Sequence, residues 1–424
     1  MRPASPSPEH VATGTLLPAD YFERLSRPPR SDDPHRHLDA LRVDPPPRLR
    51  SGEVVLARHR DVSAVLRDPA FLKPPLPSVP LPSVRAMLRM FILFDGADHA
   101  RLRRAVAPLF TAGAVDRRRA RIEGRVDALL LGRDELDGIA DLAYPLPLGL
   151  ICDALGVPPG DAQRISRWGA ALLETLDNPM PVTPMGMLRM AKAVALRRSH
   201  PVALLRAIHD IATYARARLA DPDPPEDADV LRALQVALRD DLMSPDEAVG
   251  TWVLTVIAGH ETTANLIGST LHLLLAHPDQ LALVHDDPTL VPAAVREALR
   301  LESPVPLGVR RAASDTTVAG LPAPVGTDVL VLFGAANRDP EVFRDPSRYD
   351  VLRDQTGHLA FGLGTHFCAG AQLALAETEI AVARVLERRP RLRPGADPRW
   401  RPTFATRGID QLPIELTTSL PPPP

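Results

Sequence analysis

Hydrophobic positions recur with a helical period along most of the chain. Between Asp98 and about Leu219 this pattern dominates, and proline-rich stretches interrupt it. The stretch GEVVLARHRDVSAVLRDP (52–69) predicts a strand followed by a short helix, and the runs TTVAG and TDVLVLF predict short strands. The chain is therefore expected to be mainly α-helical with small β-sheets.

One segment predicts a helix much longer than the others. Ser244-Pro-Asp-Glu247 has the form of a capping box with proline at the first helical position, and the helical pattern continues to about Ala276. A helix of about 32 residues is roughly 48 Å long, which is enough to cross the whole molecule. Two further helices are predicted, at residues 289–301 and from near Cys368 to about Arg388.

The chain shows no internal repeat and no change in composition that would mark a domain boundary. Residues 1–17 and the closing prolines at 421–424 are expected to be flexible ends. Residues 18–420 are expected to form one large domain, because a chain of 424 residues can still fold as a single enzyme domain.

Composition narrows the class of protein. The formal net charge is −2, which does not favour binding to nucleic acid or to an anionic membrane. The chain has no long apolar run, no signal-peptide pattern and only two cysteines, so we expect a cytoplasmic protein without a membrane span. Of 50 basic residues only Lys73 and Lys192 are lysine, so a motif that needs arginine matches often by chance.

The two cysteines stand in different settings. Cys152, in LICDALG, is interpreted as a small buried hydrophobic residue. Cys368, in AFGLGTHFCAG (360–370), follows a glycine-rich loop at the predicted start of a helix, where backbone N–H groups favour a thiolate. Gly362 and Gly364 allow the backbone to approach a flat ligand closely, and Gly370 leaves space beside the cysteine.

The pattern Phe361-Gly362-x-Gly364-x-His366-x-Cys368-x-Gly370 resembles the haem-binding signature of cytochromes P450. A chance match in this chain is expected at a frequency of about 10⁻⁷. The resemblance implies that the Cys368 thiolate is the axial ligand of the iron of haem b, that is, iron protoporphyrin IX. It also implies that His366 reaches a haem propionate and that Phe361 shields the sulfur. It extends from about Gly52 to Pro413 and implies the P450 fold, a single large helical domain around a buried haem.

The long helix carries Ala258-Gly259-His260-Glu261-Thr262-Thr263, which is similar to the oxygen-binding motif of the same family. Small residues at Ala258 and Gly259 would leave room for O₂ beside the iron. Glu261 and Thr262 would act as an acid–alcohol pair that relays protons from solvent. Without Cys368, this stretch would be interpreted as a solvated glutamate and a threonine bonded back to its own helix.

A Glu-x-x-Arg pair in the second predicted helix resembles the buried ion pair of the family. The chain contains two such pairs, Glu297/Arg300 and Glu341/Arg344, and this number is expected by chance. Only the first lies on a helix with an apolar face, and the second is expected at the surface. The resemblance implies that Arg348, in FRDPSRY, completes a structural network with Glu297 and Arg300.

Three cations are expected to bind the haem propionates. His99 and Arg103 share one face of a predicted helix, and the resemblance places them on the propionate-binding helix. Arg310 matches the arginine that follows the second helix, and its spacing to AASDTTVAG favours it over the adjacent Arg311. Arginine suits this role because it pairs with carboxylates through two parallel hydrogen bonds.

The substrate pocket is expected to be apolar. In the family two segments cover the distal side, near residues 70–93 and 176–200 here, and they contain six of the eight methionines: Met87, Met90, Met180, Met185, Met187 and Met190. Methionine suits a cover that adapts to apolar guests, although ordinary helix packing explains it equally well. The pocket residues proposed from the sequence are Met87, Met90, Met185, Leu254, Ala258 and Leu307. The expected substrate is a fatty acid, terpenoid, steroid-like molecule or polyketide.

No reductase-sized segment follows the last predicted helix, so electrons are expected from a separate ferredoxin and ferredoxin reductase. A basic face could bind such an acidic partner, or the same residues could belong to a generally arginine-rich surface: Arg101, Arg103, Arg104, Arg117–Arg119 and Arg121. The sequence thus predicts a monomeric haem-thiolate monooxygenase that uses O₂. Two alternatives are a peroxygenase that uses hydrogen peroxide, which Glu261-Thr262 argues against, and a non-catalytic haem-thiolate binding or sensing protein.

Overall fold

The computed structural model describes residues 16–18, 21–22, 34–76, 78–176, 201–354, 356–388, 390–392, 397–401 and 406–416. Its helices are α1 (Pro34–Asp39), α2 (His59–Arg67), α3 (Pro82–Met87), α4 (Gly96–Val106), α5 (Ala112–Asp116), α6 (Arg119–Leu130), α7 (Pro145–Ala154), α8 (Ala162–Leu176), α9 (Pro201–Leu219), α10 (Asp229–Arg239), α11 (Pro245–Ala276), α12 (Pro278–Asp286), α13 (Val291–Leu301), α14 (Phe333–Ala336) and α15 (Ala371–Leu386). The mainly helical fold class is confirmed.

The strands are short. They are β1 (Leu16–Leu17), β2 (Arg48–Leu49), β3 (Val54–Leu56), β4 (Phe71–Leu72), β5 (Glu135–Asp137), β6 (Gly308–Ala312), β7 (Thr316–Val318), β8 (Leu321–Ala323), β9 (Asp328–Val331), β10 (Pro390–Leu392), β11 (Arg399–Trp400), β12 (Ile409–Gln411) and β13 (Pro413–Leu416). One six-stranded sheet has the order β1-β2-β3-β9-β6-β4, and the other sheets have two or three strands.

Helix α11 organises the fold. Its N-terminus carries the predicted capping box, in which the Ser244 hydroxyl accepts from the Glu247 N–H and the Glu247 carboxylate accepts from the Ser244 N–H at 2.8 Å. The helix spans 32 residues, as predicted. It packs against α7, α9, α13 and α15, so most of its side chains are buried. A span of this length through the centre lets one helix contact both halves of the core.

The apolar core lies in two large clusters on either side of α11. One joins α6, α13, α15 and the C-terminal half of α11, and the other joins α7 to α10 with the N-terminal half of α11 around Trp252. In the part of the chain that the structure describes, no helix is both long enough and apolar enough to cross a membrane.

Two predicted boundaries need correction. Leu16 and Leu17 pair in parallel with Arg48 and Leu49, and Leu17 is buried, so the packed part of the chain begins before residue 18. The last helix begins at Ala371 instead of near Cys368. The cysteine therefore belongs to the preceding loop.

Candidate active site

The loop before α15 holds Cys368 in a fixed position. Residues Gly364–His366 form a 3-10 turn, and the Cys368 N–H donates to the Phe361 carbonyl at 2.9 Å. Gly362 and Gly364 have φ angles of +71° and +69°, a region that favours glycine. A Cβ atom on Gly364 would lie 2.6 Å from the Leu66 carbonyl oxygen. The loop shape therefore requires the glycines of the motif.

Residue Cys368 is exposed, but the protein around its sulfur disfavours a charge on it. Burial raises the pKa of the thiol, and the Gly370 N–H and the Arg103 guanidinium oppose this only in part. The Gly370 N–H does favour the thiolate, as expected from the sequence, but burial outweighs it in the protein without a metal. A metal cation bound to sulfur deprotonates it outright, so this cysteine fits a thiolate that forms when the metal binds.

Two residues of the motif flank the sulfur. The half-buried Phe361 ring packs edge to face on Phe367, with 6.2 Å between the ring centroids. Gly370 is the N-cap of α15, and no heavy atom outside its own neighbourhood lies within 4 Å of the position a Cβ would take. The side of the loop next to Gly370 is thus open, which fits the prediction that a flat ligand lies there.

The predicted oxygen-binding motif lies in the middle of α11. Ala258 is exposed although most of the helix is buried, and Thr262 donates from its hydroxyl to the Ala258 carbonyl at 2.6 Å. Gly259 has a packing role that the sequence did not reveal, because a Cβ there would lie 3.0 Å from Ile151 on α7. The accessible surface of the motif is therefore formed by Ala258 and Thr262.

Glu261 is buried and forms an ion pair with Arg401, which directly follows β11. The Arg401 Nη1 atom donates to Glu261 Oε1, and Arg401 Nε lies 3.3 Å from Asp410 Oδ1 on β12. Burial raises the pKa of Glu261, while Arg401 lowers it through charge and hydrogen bonding. Sequence reasoning missed Arg401, because one arginine among 48, far along the chain, carries no local signal.

The predicted propionate-binding helix is α4. His99 is buried, and neither of its ring nitrogens has a hydrogen-bond partner among the described residues. Burial, with smaller contributions from His366 and Arg103, lowers the pKa of His99 to about 4, so the ring is neutral at pH 7. Arg103 donates from Nη1 to the Thr365 carbonyl at 3.2 Å, which sets its guanidinium beside the cysteine loop.

Arg310 and Arg311 lie on β6 but have different partners. Arg311 pairs with Asp328 through two hydrogen bonds, at 2.7 Å and 2.6 Å. Arg310 is buried, bonds to the Val309 carbonyl, and has no carboxylate within ion-pair distance among the described residues. This contrast supports the choice of Arg310 as the cation for an external carboxylate.

His366 contacts a carboxylate of the protein itself. Its Nε2 atom lies 2.8 Å from Asp95 Oδ1, and Asp95 also accepts from the Lys73 N–H at 2.6 Å. Burial lowers the pKa of His366, so the neutral ring that donates to Asp95 has no second N–H for a propionate. His366 therefore already has a carboxylate partner, while its buried Nδ1 atom has none among the described residues. Its contact with a propionate stays a prediction, and sequence reasoning missed Asp95.

The residues present fit a haem. His99 offers unpartnered buried nitrogen atoms, and Arg103 and Arg310 offer guanidinium groups without carboxylate partners among the described residues. A donor set of this kind suits two carboxylates. Cys368 offers one soft axial ligand. The residues that would hold the cofactor are thus Cys368 for the metal and His99, Arg103 and Arg310 for its acidic edge.

The structural network is present with one correction. Glu297 and Arg300 are completely buried on α13 and form two hydrogen bonds of 2.8 Å. The third arginine is Arg353, whose Nε donates to Glu297 at 2.9 Å. The assignment to Arg348 is wrong: its side chain is exposed, and its carbonyl accepts from Arg300 and Arg353. The loop supplies several arginines, and only its folded path selects Arg353.

The other Glu-x-x-Arg pair lies at the surface, as predicted. The side chain of Glu341 is 59% exposed and that of Arg344 is 95% exposed. The two pairs therefore share a sequence pattern and differ completely in burial.

The predicted substrate pocket is only partly assembled. Met87, Met90 and Leu254 are buried and belong to one apolar cluster at the N-terminal half of α11. Leu307 is buried in a different cluster, against the six-stranded sheet. Met185 lies outside the described residues, as do Met180, Met187 and Met190.

Comparison with known proteins identifies the family. A family model described as "Cytochrome P450" matches residues 161–398. Cytochrome P450 107B1 from Saccharopolyspora erythraea is 40% identical over 328 residues, which cover 76% of this chain and 75% of the relative. The vitamin D(3) 25-hydroxylase of Pseudonocardia autotrophica is 35% identical over 408 residues, which cover 91% of this chain and 94% of the relative.

A solved structure has the same fold. P450BioI, in complex with an acyl carrier protein ligated to hexadec-9Z-enoic acid, matches with a TM-score of 0.79 at 30% identity, over 93% of this chain and 100% of that chain. The fold implied by the sequence resemblance is thereby confirmed. The chain therefore belongs to the cytochrome P450 family of monooxygenases, which bind haem b through a cysteine thiolate.

Proposed function

We propose that this protein inserts one oxygen atom from O₂ into a medium-sized apolar molecule, namely a fatty acid, a terpenoid, a steroid-like molecule or a polyketide. The observation that carries the proposal is the Glu261–Thr262 pair, which stands beside the accessible Ala258 on α11. When bound, haem supplies the activation of O₂. We further propose that the protein acts as a monomer in the cytoplasm.

The residues of α11 would manage protons. Glu261 is buried against Arg401, and Thr262 follows it directly with a hydroxyl that donates to the Ala258 carbonyl. The Thr262 oxygen keeps acceptor capacity for a second hydrogen bond. Glu261 would take protons from the Arg401 side, and Thr262 would hold a proton beside the substrate pocket.

An apolar substrate is supported by the pocket and by the relatives. Met87, Met90 and Leu254 offer flexible or branched apolar side chains without a charge. One relative is named a vitamin D(3) 25-hydroxylase, and the solved structure of P450BioI holds a hexadecenoyl chain on its carrier protein. Both molecules are long and largely apolar, which places this substrate in the same broad class.

The electron donor is proposed to be a ferredoxin that receives electrons from a ferredoxin reductase. Of the seven arginines that the sequence suggested for a basic face, three form ion pairs with carboxylates: Arg101, Arg118 and Arg121. The remaining four have no carboxylate within ion-pair distance among the described residues, and we call them the basic face: Arg103, Arg104, Arg117 and Arg119. Arg103 places this face beside the cysteine loop, where Phe367 is 43% exposed.

A spectroscopic screen tests the proposed substrate class. The purified holoprotein is titrated with vitamin D3, testosterone, myristic acid and a macrolide aglycone, and with small polar compounds as controls. We expect a shift of the haem from low spin to high spin with at least one of the apolar compounds. Shifts with the polar compounds alone would contradict the proposal.

Three turnover assays separate the reaction types. The compound that shifts the spin state is incubated with surrogate redox partners and O₂, with hydrogen peroxide alone, or with neither. We expect the first assay to give the oxygenated product. Product from peroxide alone at a comparable rate would favour the peroxygenase alternative, and binding without product in all three would favour the sensing alternative.

Charge reversal tests the basic face. Arg117→Glu with Arg119→Glu is expected to slow reduction by a ferredoxin about tenfold at low salt, with a smaller effect at high salt. Arg344→Glu is the control, because that side chain is 95% exposed and lies in another loop. Equal reduction rates for the double variant and the control would exclude docking at the basic face.

A further inference from the structure

Lys73 is an unusual residue in this chain. It is one of two lysines among 50 basic residues, and it is half-buried at the end of β4. Its ammonium group has no carboxylate within ion-pair distance among the described residues. A buried lysine differs from a buried arginine because it can lose its proton.

The sheet register places Lys73 beside Arg310. Strand β4 runs antiparallel to β6, with Phe71 opposite Ala312 and Leu72 opposite Arg311. Continued by one residue beyond β4, this register would set Lys73 opposite Arg310, and the charge of Arg310 does act on Lys73. Side chains directly opposite each other are neighbours, and two like charges there destabilise the pair. The arrangement therefore requires negative charge nearby.

The protein supplies too little negative charge at this point. Asp95 is the carboxylate close to Lys73, and it already accepts hydrogen bonds from His366 and from the Lys73 backbone N–H. Lys73, Asp95, Arg85 and Arg89 also line a cavity of about 420 Å³. Arg85 forms its ion pair with Asp246, which does not line the cavity. Asp95 is therefore the one acidic residue among the described residues that line it.

The titration of Lys73 reflects these surroundings. Burial and, to a smaller extent, the charge of Arg310 lower the pKa of Lys73 to about 7, although Asp95 opposes both. His99 and His366 also face this region, and burial lowers the pKa of both rings, so they are neutral at pH 7. In the protein without haem, the Lys73 side chain is therefore about half protonated near pH 7.

We propose that Lys73 is a cofactor-binding residue that pairs with a haem propionate beside Arg310 and takes up a proton when haem binds. Haem b carries two propionates. Together with Asp95 they make three negative charges, which match the three positive charges of Arg103, Arg310 and protonated Lys73. Lys73 would thus add one residue to the propionate-binding set predicted from the sequence.

The physical reason for a lysine follows from this balance. A guanidinium keeps its charge in the protein without haem, so an arginine at position 73 would place two permanent cations opposite each other during folding. A lysine becomes neutral until the propionates arrive. This explains why a chain that uses arginine at 48 of 50 basic positions has a lysine at this one.

Haem retention tests the proposal without measuring catalysis. Holoprotein is mixed with excess apomyoglobin at pH 7, and the rate of haem transfer is followed by absorbance. Lys73→Met is expected to lose haem about tenfold faster than wild type, which corresponds to about 1.4 kcal/mol. Lys73→Arg is expected to stay near the wild-type rate, because the charge remains. Arg344→Met is the control for loss of a surface cation, and a Lys73→Met rate equal to that of the control would overturn the proposal.

Proton uptake provides the second test. Haem binding to the protein freed of haem is measured calorimetrically in two buffers with different ionisation enthalpies. Formation of the Cys368 thiolate releases a proton in every variant, so the informative quantity is the difference between wild type and the Lys73 variants. At pH 8 wild type is expected to bind about one proton more than Lys73→Met or Lys73→Arg, because haem raises the pKa of Lys73 from about 7, and this difference should be much smaller at pH 6. The same net proton change at pH 8 in wild type and in Lys73→Met would overturn the proposal.

Discussion

Glu297 and Glu261 are both buried glutamates that meet arginine, but their surroundings differ in the number of donors. The Glu297 carboxylate on α13 is completely buried and accepts from Arg300, from Arg353 and from the Asp350 N–H. The Glu261 carboxylate on α11 is 10% exposed and accepts from Arg401 alone among the described residues.

The difference separates a carboxylate that holds the fold from one that can exchange protons. A carboxylate that accepts several hydrogen bonds is fixed in position. Glu261 has one arginine, and burial still raises its pKa. Glu377 on α15 has no cation within ion-pair distance among the described residues, and burial raises its pKa to about 8. Between Glu261 and Glu377, the carboxylate without a cationic partner therefore lies in the range where it exchanges protons near neutral pH.

The largest effect is expected when the Glu297 network is broken. Glu297→Gln leaves Arg300 and Arg353 buried without a negative partner, so the free energy of unfolding should fall by about 3–5 kcal/mol. Urea unfolding of the haem-bound protein measures this change. Glu341→Gln is the matched control, because it makes the same change in the exposed Glu-x-x-Arg pair. Similar small losses in both variants would contradict the structural role of Glu297.

Glu261→Gln should leave the fold intact and impair turnover. Removing the group that accepts and donates protons is expected to lower the product formation rate about 100-fold, while the spin-state titration with the same substrate changes little. The solvent deuterium isotope effect on turnover should increase, since proton delivery becomes slower. A rate within twofold of wild type would show that Glu261 is not in the proton route.

Arg401→Gln should act more weakly, through the pKa of Glu261. Arg401 lowers that pKa, and its removal leaves burial and Asp410 to raise it further. The infrared band of the protonated carboxyl group, assigned by its absence in Glu261→Gln, should therefore persist to higher pH. Turnover should fall no more than about tenfold, because the carboxyl group remains.

Two variants sharpen this test. Arg401→Lys should restore most of the wild-type titration, because it returns a cation. Arg399→Gln should change nothing, because Arg399 lies 3.2 Å from Asp410 and does not contact Glu261. An unchanged infrared titration in Arg401→Gln would show that Arg401 does not set the charge of Glu261.

Glu377→Gln should change the free energy of unfolding little near pH 5, and near pH 8 it should raise it above that of wild type. The pKa of Glu377 is raised from 4.5 to about 8, so the folded state holds a proton that the unfolded state releases. The stability of wild type should therefore fall relative to Glu377→Gln as the pH rises from about 4.5 to about 8. Urea unfolding at several pH values measures this difference, and parallel curves would contradict the assignment.

Local patterns in the sequence predicted those features whose structure depends only on residues close together in the chain. The capping box at Ser244 set the start of α11, and the apolar face of α13 distinguished Glu297 from Glu341. The motif around Cys368 predicted a loop that bends tightly at its glycines, and Gly362 and Gly364 do have positive φ angles. These features depend on residues within a few positions of one another.

Long-range contacts could not be predicted in this way. Arg401 reaches Glu261 across 140 positions, and Asp95 reaches His366 across 271. Arg353 replaced Arg348 because the path of a loop, and not the spacing of its arginines, decides which guanidinium reaches Glu297. In a chain with 48 arginines, only the folded structure shows which of them find a carboxylate.

The central claim is that Cys368 is the axial thiolate ligand of the haem. The most direct measurement is the absorption spectrum of the dithionite-reduced, carbon-monoxide-bound protein. We expect wild type and Cys152→Ala to show the strongly red-shifted Soret band of a haem-thiolate, and Cys368→Ser to lose it while still binding haem. A thiolate-type spectrum in Cys368→Ser, or its absence in wild type, would contradict the account.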